Sequence, residues 1–297
     1  MMASRGPKKA RPPQTSRQAE RRLRHAEEAH ARAAEKESSR LTSMSFMRKL
    51  KRAEHHINAI DALVTAWRSK GYRITRETND RGITTEYGQI VNELPEELPL
   101  LIGDASQCLF NSLDHLAFAI ATKHSGGLTE EEERNSGFPI LDKDQSDNRG
   151  HNSHRKISRW PPCAISVVGA LQPYLGKEEF NAHPLWLLRD LANRDKHREL
   201  SIVVFGQFIQ NVAIGGPGSG RTYIHHLQTF GANEIGTEPV ALVAYSERNY
   251  GDIRLTRNFG IRFGPGPLVI GREVVPTLRW LCDYVERVPV GRLAKFA

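Results

Sequence analysis

Residues 184–214 read PLWLLRDLANRDKHRELSIVVFGQFIQNVAI, and the hydrophobic period changes inside them. Up to about His197, Leu185, Leu188 and Leu191 recur three apart on one helix face, behind a proline suited to a first helical turn. After Leu200 the run turns β-branched and aromatic and ends in glycines, as a strand does. Upstream of this junction the chain is mainly helical in pattern, and downstream it is mainly strand-like.

Working back from the junction, a short helix is predicted from Cys163 to Leu171, after a polar stretch over 138–160 that reads as loop. Leu109, Leu113, Leu116 and Ile120 give the core stripe of a long helix from about Asp104 to Lys123, which Gly126-Gly127 ends. Thr129 followed by Glu132 resembles a capping box for a short acidic helix. Earlier still, Phe46, Leu50, Ala53, Ile57, Ile60, Val64 and Trp67 form one apolar face of a helix that runs to about Ser69. Tyr72–Glu77 and Ile83–Tyr87 alternate around Asn79-Asp80-Arg81-Gly82, the pattern of a β-hairpin.

Forward from the junction, Ser201–Ile214, Arg221–Phe230, Pro239–Tyr245 and Ile253–Phe263 read as antiparallel strands. Val274, Leu278, Leu281 and Val285 mark a last helix from about Glu273 to Arg287. Helices followed by strands, without βαβ alternation, predict an α+β fold. The expected organisation is a basic tail over 1–43, a helical domain with an inserted hairpin over 44–200, and an antiparallel β region with a C-terminal helix over 201–297. The last two regions are expected to pack as one unit.

The tail is set apart by composition. Residues 1–45 contain no Phe, Trp, Tyr, Val or Ile, so they cannot bury enough surface to offset the entropy of ordering. Residues 1–52 carry 15 Lys+Arg against 5 acids, whereas the rest carry 27 against 29, so the basic character belongs to the front of the chain. Such a charge run attracts nucleic acid without sequence preference, and it lacks aromatics on which to stack single strands. It also serves as a solubilising tail.

Three scattered cysteines, Cys108, Cys163 and Cys282, fit neither a disulfide framework nor a zinc knuckle, which points to a reducing, cytoplasmic location. No apolar run reaches the roughly 20 residues that span a bilayer, and the N-terminus has no secretory h-region, so no membrane partner is expected. No metal or other cofactor is expected either. His151 and His154 fall in a loop, His225 and His226 point to opposite faces of a strand, and His55 and His56 make no i,i+4 ligand pair with Asp61. The segment Gly215-Gly216-Pro217-Gly218-Ser219-Gly220-Arg221-Thr222 approaches a phosphate-binding loop. It has Arg221 where the motif needs lysine, and a strand where the motif needs a helix.

The candidate site is the block around Asn193 to Arg198. Arg189, Asn193 and His197 form a polar column spaced by four, and Asp190 can pair with Arg194 at i+4. Asp104, Cys108, Asn111 and His115 make a second polar stripe on the long helix, with Asp114 beside His115. If the stripes face each other, His115, Asn193, Asp195 and His197 are the candidate catalytic groups, able to do acid–base work. Asn111, Asp114, Arg189, Lys196 and Arg198 are then candidate binding groups. The same residues also suit a satisfied polar network that fixes helix register.

Ser112-Leu113-Asp114-His115-Leu116-Ala117, Phe138-Pro139-Ile140, Leu171-Gln172-Pro173-Tyr174, His183-Pro184-Leu185 and Asn193-x-Asp195-Lys196-His197-Arg198 occur in this order. As a set they resemble a family of uncharacterised bacterial and phage proteins, over roughly Phe46 to Leu200. In many of its members an Arg stands five residues before the LDH histidine, like the Arg-x4-His ribonuclease motif of HEPN helical domains. Here that position is Phe110. A looser Arg-x4–6-His spacing occurs four times, no more than the roughly four that chance gives. The resemblance carries no assigned activity. The missing arginine favours an intracellular binding or regulatory protein, and the basic tail and fold leave room for nucleic acid or a second copy of the chain as partner. The alternative, which the HEPN resemblance implies by fold-level analogy, is a metal-independent ribonuclease using His115 or His197.

Overall fold

Helix α1 (Ser45–Arg68) buries the apolar face that its spacing defines, with Phe46, Leu50, Ala53, Ile57, Ile60, Val64 and Trp67 all inside. Each fully buried leucine or isoleucine contributes about 1.5–3 kcal/mol over an exposed one. The computed structural model describes residues 24, 44–144, 152–196, 200–213, 227–229, 233–246 and 254–297. Gly71 follows α1 because a Cβ there would overlap the Trp67 ring. The indole then donates to the Asn92 carbonyl at 2.9 Å.

Strands β1 (Tyr72–Thr78) and β2 (Ile83–Ile90) form the hairpin. The Asn79 side chain accepts from the Arg81 and Ile83 amides, both at 3.0 Å, and Gly82 takes φ +71°. Helix α2 (Glu97–Ser125) begins seven residues before the expected Asp104. Pro99 conceals that start, yet it occupies the first turn, where the missing N–H has no helical partner to lose. Gly126 closes α2 in the left-handed conformation, φ +71°.

Helix α3 (Glu130–Asn135) carries the expected capping box, with Thr129 and Glu132 bonded reciprocally. Among its described residues the stretch read as loop holds one short helix, α4 (Asn152–Lys156), too short to show a period. Helices α5 (Pro162–Gly169) and α6 (Pro184–Asp195) follow, joined by 3-10 turns over Pro173–Ala182. His183 caps α6: its Nδ1 accepts the Leu185 amide at 3.2 Å.

Past Leu200 come β3 (Ile202–Ala213), β4 (Leu227–Thr229), β5 (Asn233–Glu234), β6 (Val240–Ser246) and β7 (Arg254–Phe263), then helix α7 (Val274–Val285). Among the described residues every pairing is antiparallel, in two sheets of order β1-β2-β6-β4 and β5-β3-β7. The fold class is α+β. Because β2 pairs with β6, the hairpin is part of a sheet completed by strands from beyond residue 200. One large core joins α1, α2, α5, α6 and α7 with Ile261 and Phe263 of β7. A smaller one gathers Trp67, Val204, Ile235, Leu242 and Phe259, with Tyr72 stacked on Phe259 at 3.8 Å. The Gly-rich segment 215–222, His151, His225, His226 and the tail before residue 44, apart from Arg24, lie outside the described residues. No described helix is long and apolar enough to cross a membrane.

Candidate ligand site

Residues 138–141 run without a sheet partner, so their backbone groups need bonds from elsewhere. The quoted motifs supply most of them, and Arg189, between two of those motifs, supplies another. Asp114 Oδ1 accepts the Phe138 amide at 2.9 Å. Gln172 donates to the Pro139 carbonyl and accepts the Leu141 amide, both at 3.0 Å. Arg189 Nη1 donates to the Ile140 carbonyl at 2.9 Å, and the Tyr174 amide reaches the Leu141 carbonyl at 3.3 Å. Phe138 anchors the segment in the core, edge-on to Trp160. Motifs far apart in sequence thus converge on four residues.

Beside this segment lies a cavity of about 570 Å³, walled by Phe110 and Asp114 of α2, residues 138–142, Ser153 and Lys156 of α4, and Arg189, Asn193 and Lys196 at α6. Arg189 lies over the Trp186 ring at 4.7 Å, and Lys196 sits 5.5 Å from the centre of the Phe110 ring. Gly137 stands where Asp114 and Lys156 approach: a Cβ there would lie 3.2 Å from Asp114 Oδ1 and 3.7 Å from Lys156 Nζ. Among the described residues, Lys156, Arg189 and Lys196 form no ion pair. Burial raises the Asp114 carboxyl above its ordinary pKa, opposed by the Phe138 amide, Lys156, Lys196 and His115.

Asp114, Arg189, Asn193 and Lys196 therefore share one wall. Of the other candidates, the described ones, His115, Asn111 and Asp195, do not join them. His115 lies toward Lys49 and Arg48 of α1, and burial, then Lys49, lowers its pKa against the pull of Asp114. Asn111 accepts from Gln107 at 3.1 Å and is not part of the cavity wall. The expected cluster of Asn111 and His115 with Asn193 does not form. Consecutive helical residues diverge by 100°, so the face of α2 toward α6 carries Phe110 and Asp114, and the next residues point elsewhere.

Asp195 is likewise turned away. It borders a separate cavity with Leu94, Pro95, Leu100 and Ile202, and sits so close over α2 that a Cβ on Gly103 would overlap its carboxylate. Burial, then Asp104, raises its pKa. His197 and Arg198 lie outside the described residues. The Asp190–Arg194 pair forms as its spacing implies, at 3.0 Å, and Asp190 also accepts the Leu268 amide at 2.8 Å.

Phe110, Asp142, Ser153 and Lys156 complete the wall without having been singled out as binding groups. Phe110 stood out only as a missing arginine, and the segment holding Ser153 and Lys156 has no period to read. Among the described residues no group of three His, Cys, Asp or Glu side chains is placed to hold a metal ion. No protein-family model, curated protein or solved structure matches the chain.

Proposed function

We propose that the chain is a binding or regulatory protein whose ligand is a small anion-bearing molecule seated in the cavity between α2, α4 and α6. One observation carries this reading. Lys156 of α4, and Arg189 and Lys196 two turns apart at α6, face a single cavity, with no ion pair among the described residues. Asp114 and Asp142 on the same wall offset part of this charge, and a bound anion would engage the cations that remain in excess. The volume falls within the roughly 300–1,000 Å³ of small-molecule clefts.

The test is a thermal-shift panel of organic anions at low ionic strength. A ligand at about 100 times its Kd stabilises by about 2.7 kcal/mol. The shift should vanish in a Lys156→Met/Lys196→Met double variant. The basic residues 1–43 supply a second, non-specific attraction for nucleic acid. A chain starting at Met44 should lose that binding, and in the full chain it should weaken steeply with salt.

A ribonuclease reading has one observation in its favour, the closeness of Arg48 and Lys49 to His115. RNA cleavage in EDTA that disappears in His115→Ala would support it. Cleavage unaffected by that change would dismiss it.

A further inference from the structure

We infer that the ligand of this cavity is a hydroxylated phosphate ester of the sugar-phosphate or nucleotide class, an inference that rests on the anion-binding reading above. The charge favours an anion: Lys156, Arg189 and Lys196 outnumber Asp114 and Asp142 on the wall. A phosphate monoester, with about 1.5 to 2 negative charges at neutral pH, can engage all three cations while its hydroxyls occupy the carboxylates.

The geometry of Arg189 argues the same way. Its guanidinium is held against Trp186, and one nitrogen is fixed on the Ile140 carbonyl. The remaining N–H groups form a fork of fixed orientation, which suits the paired oxygens of an oxyanion. Lys156 and Lys196 add point charges from two other places on the wall, as a tetrahedral group with three outer oxygens needs.

The acceptors argue for hydroxyls. Asp114 spends Oδ1 on the Phe138 amide, and Oδ2 has no hydrogen-bond partner among the described residues. Asp142 is a second carboxylate on the wall. Bare oxyanions meet repulsion from both. A ligand whose non-phosphate part carries O–H or N–H donors turns that repulsion into charge-assisted hydrogen bonds. The cavity is also far larger than one oxyanion needs, leaving room for the hydroxylated part.

Calorimetric titration of the full chain at low ionic strength tests this, with ribose 5-phosphate, AMP, inorganic phosphate, ribose and succinate as probes. At least one of the two esters should bind ten-fold or more tighter than inorganic phosphate, ribose or succinate. Asp114→Asn keeps an oxygen for the Phe138 amide, and circular dichroism verifies that it is folded. It should cut the preference for that ester over inorganic phosphate at least five-fold, while Lys156→Met weakens both. Equal affinity for the esters and inorganic phosphate overturns the hydroxyl assignment. Succinate binding tighter than either ester overturns the phosphate class and leaves the anion cavity standing. If no anion binds, or binding persists in Lys156→Met/Lys196→Met, the cavity reading itself fails.

Discussion

Replacing Gln172 with leucine removes the clamp on which the ligand wall depends. Gln172 is 3% exposed, and its amide bonds the Pro139 carbonyl, the Leu141 amide and the Val168 carbonyl, at 3.0, 3.0 and 2.9 Å. The Val168 carbonyl keeps the Leu171 amide at 3.1 Å, so it is not stranded. The Pro139 carbonyl and the Leu141 amide have no other partner among the described residues. Each buried group left unsatisfied costs about 1–3 kcal/mol. The two together cost about 2–6 kcal/mol, and water entering from the cavity pulls the result toward the lower end. That is a large part of a typical domain stability of about 5–15 kcal/mol. Urea unfolding followed by circular dichroism measures it: the midpoint should fall with the slope unchanged. Binding in the cavity should weaken too, because Arg189 takes its orientation from the same segment. A loss below about 1 kcal/mol would refute the argument that the motifs act through this backbone.

Asp195→Asn should raise stability by about 0.3–1 kcal/mol at neutral pH, since it removes a negative charge from the C-terminal end of α6. Burial and Asp104 raise the Asp195 pKa, so its ionised form disfavours folding. The gain should therefore fade as pH falls through the carboxylate range, and melts at pH 7 and pH 3 check both ends. Burial lowers the pKa values of His56, His115 and His183. Their neutral forms favour the fold, so that stability is complete above the ordinary histidine value of about 6.5 and drains away as pH falls below it. Denaturation at pH 7.5 and 5.5 measures the loss, and His183→Asn, which can still cap α6, should reduce it. Asn193→Ala should change stability by less than about 0.5 kcal/mol, because the side chain is exposed and makes no hydrogen bond among the described residues. A drop above 1 kcal/mol would make Asn193 part of the scaffold.

The elements legible in the sequence are those whose signal is local. The α1 face from Phe46 to Trp67, the Asn79 turn, the Thr129–Glu132 box and the Asp190–Arg194 pair each depend on neighbours within a few turns, and each forms. The start of α2 is hard to read because proline and glycine ordinarily disfavour a helix interior, yet Pro99 and Gly103 are both placed by context. Pro99 falls where no helical bond is needed, and Gly103 is where Asp195 presses on the helix. The partner of the hairpin was hidden for another reason. Nothing in Ile83–Ile90 names Val240–Ser246, about 150 residues away, as its neighbour.

The site was half legible on the same physical grounds. Residue types pointed to polar groups on two helices, but a polar stripe on an isolated helix does not say which residue faces the partner. One step around α2 exchanges His115 for Asp114, and with it an imidazole for a carboxylate held by a backbone amide. That step changes the chemistry the wall offers on the α2 side, from an imidazole suited to proton transfer to a carboxylate suited to accepting hydrogen bonds. The motif Phe138-Pro139-Ile140 contributes through main-chain atoms more than through its side chains. Proline holds the run extended, and the carbonyls and amides on either side of it are what Asp114, Gln172 and Arg189 grasp. Arg189 is thereby both a strut for Ile140 and a donor to the cavity, so a ligand that engages it also loads the segment held by Gln172.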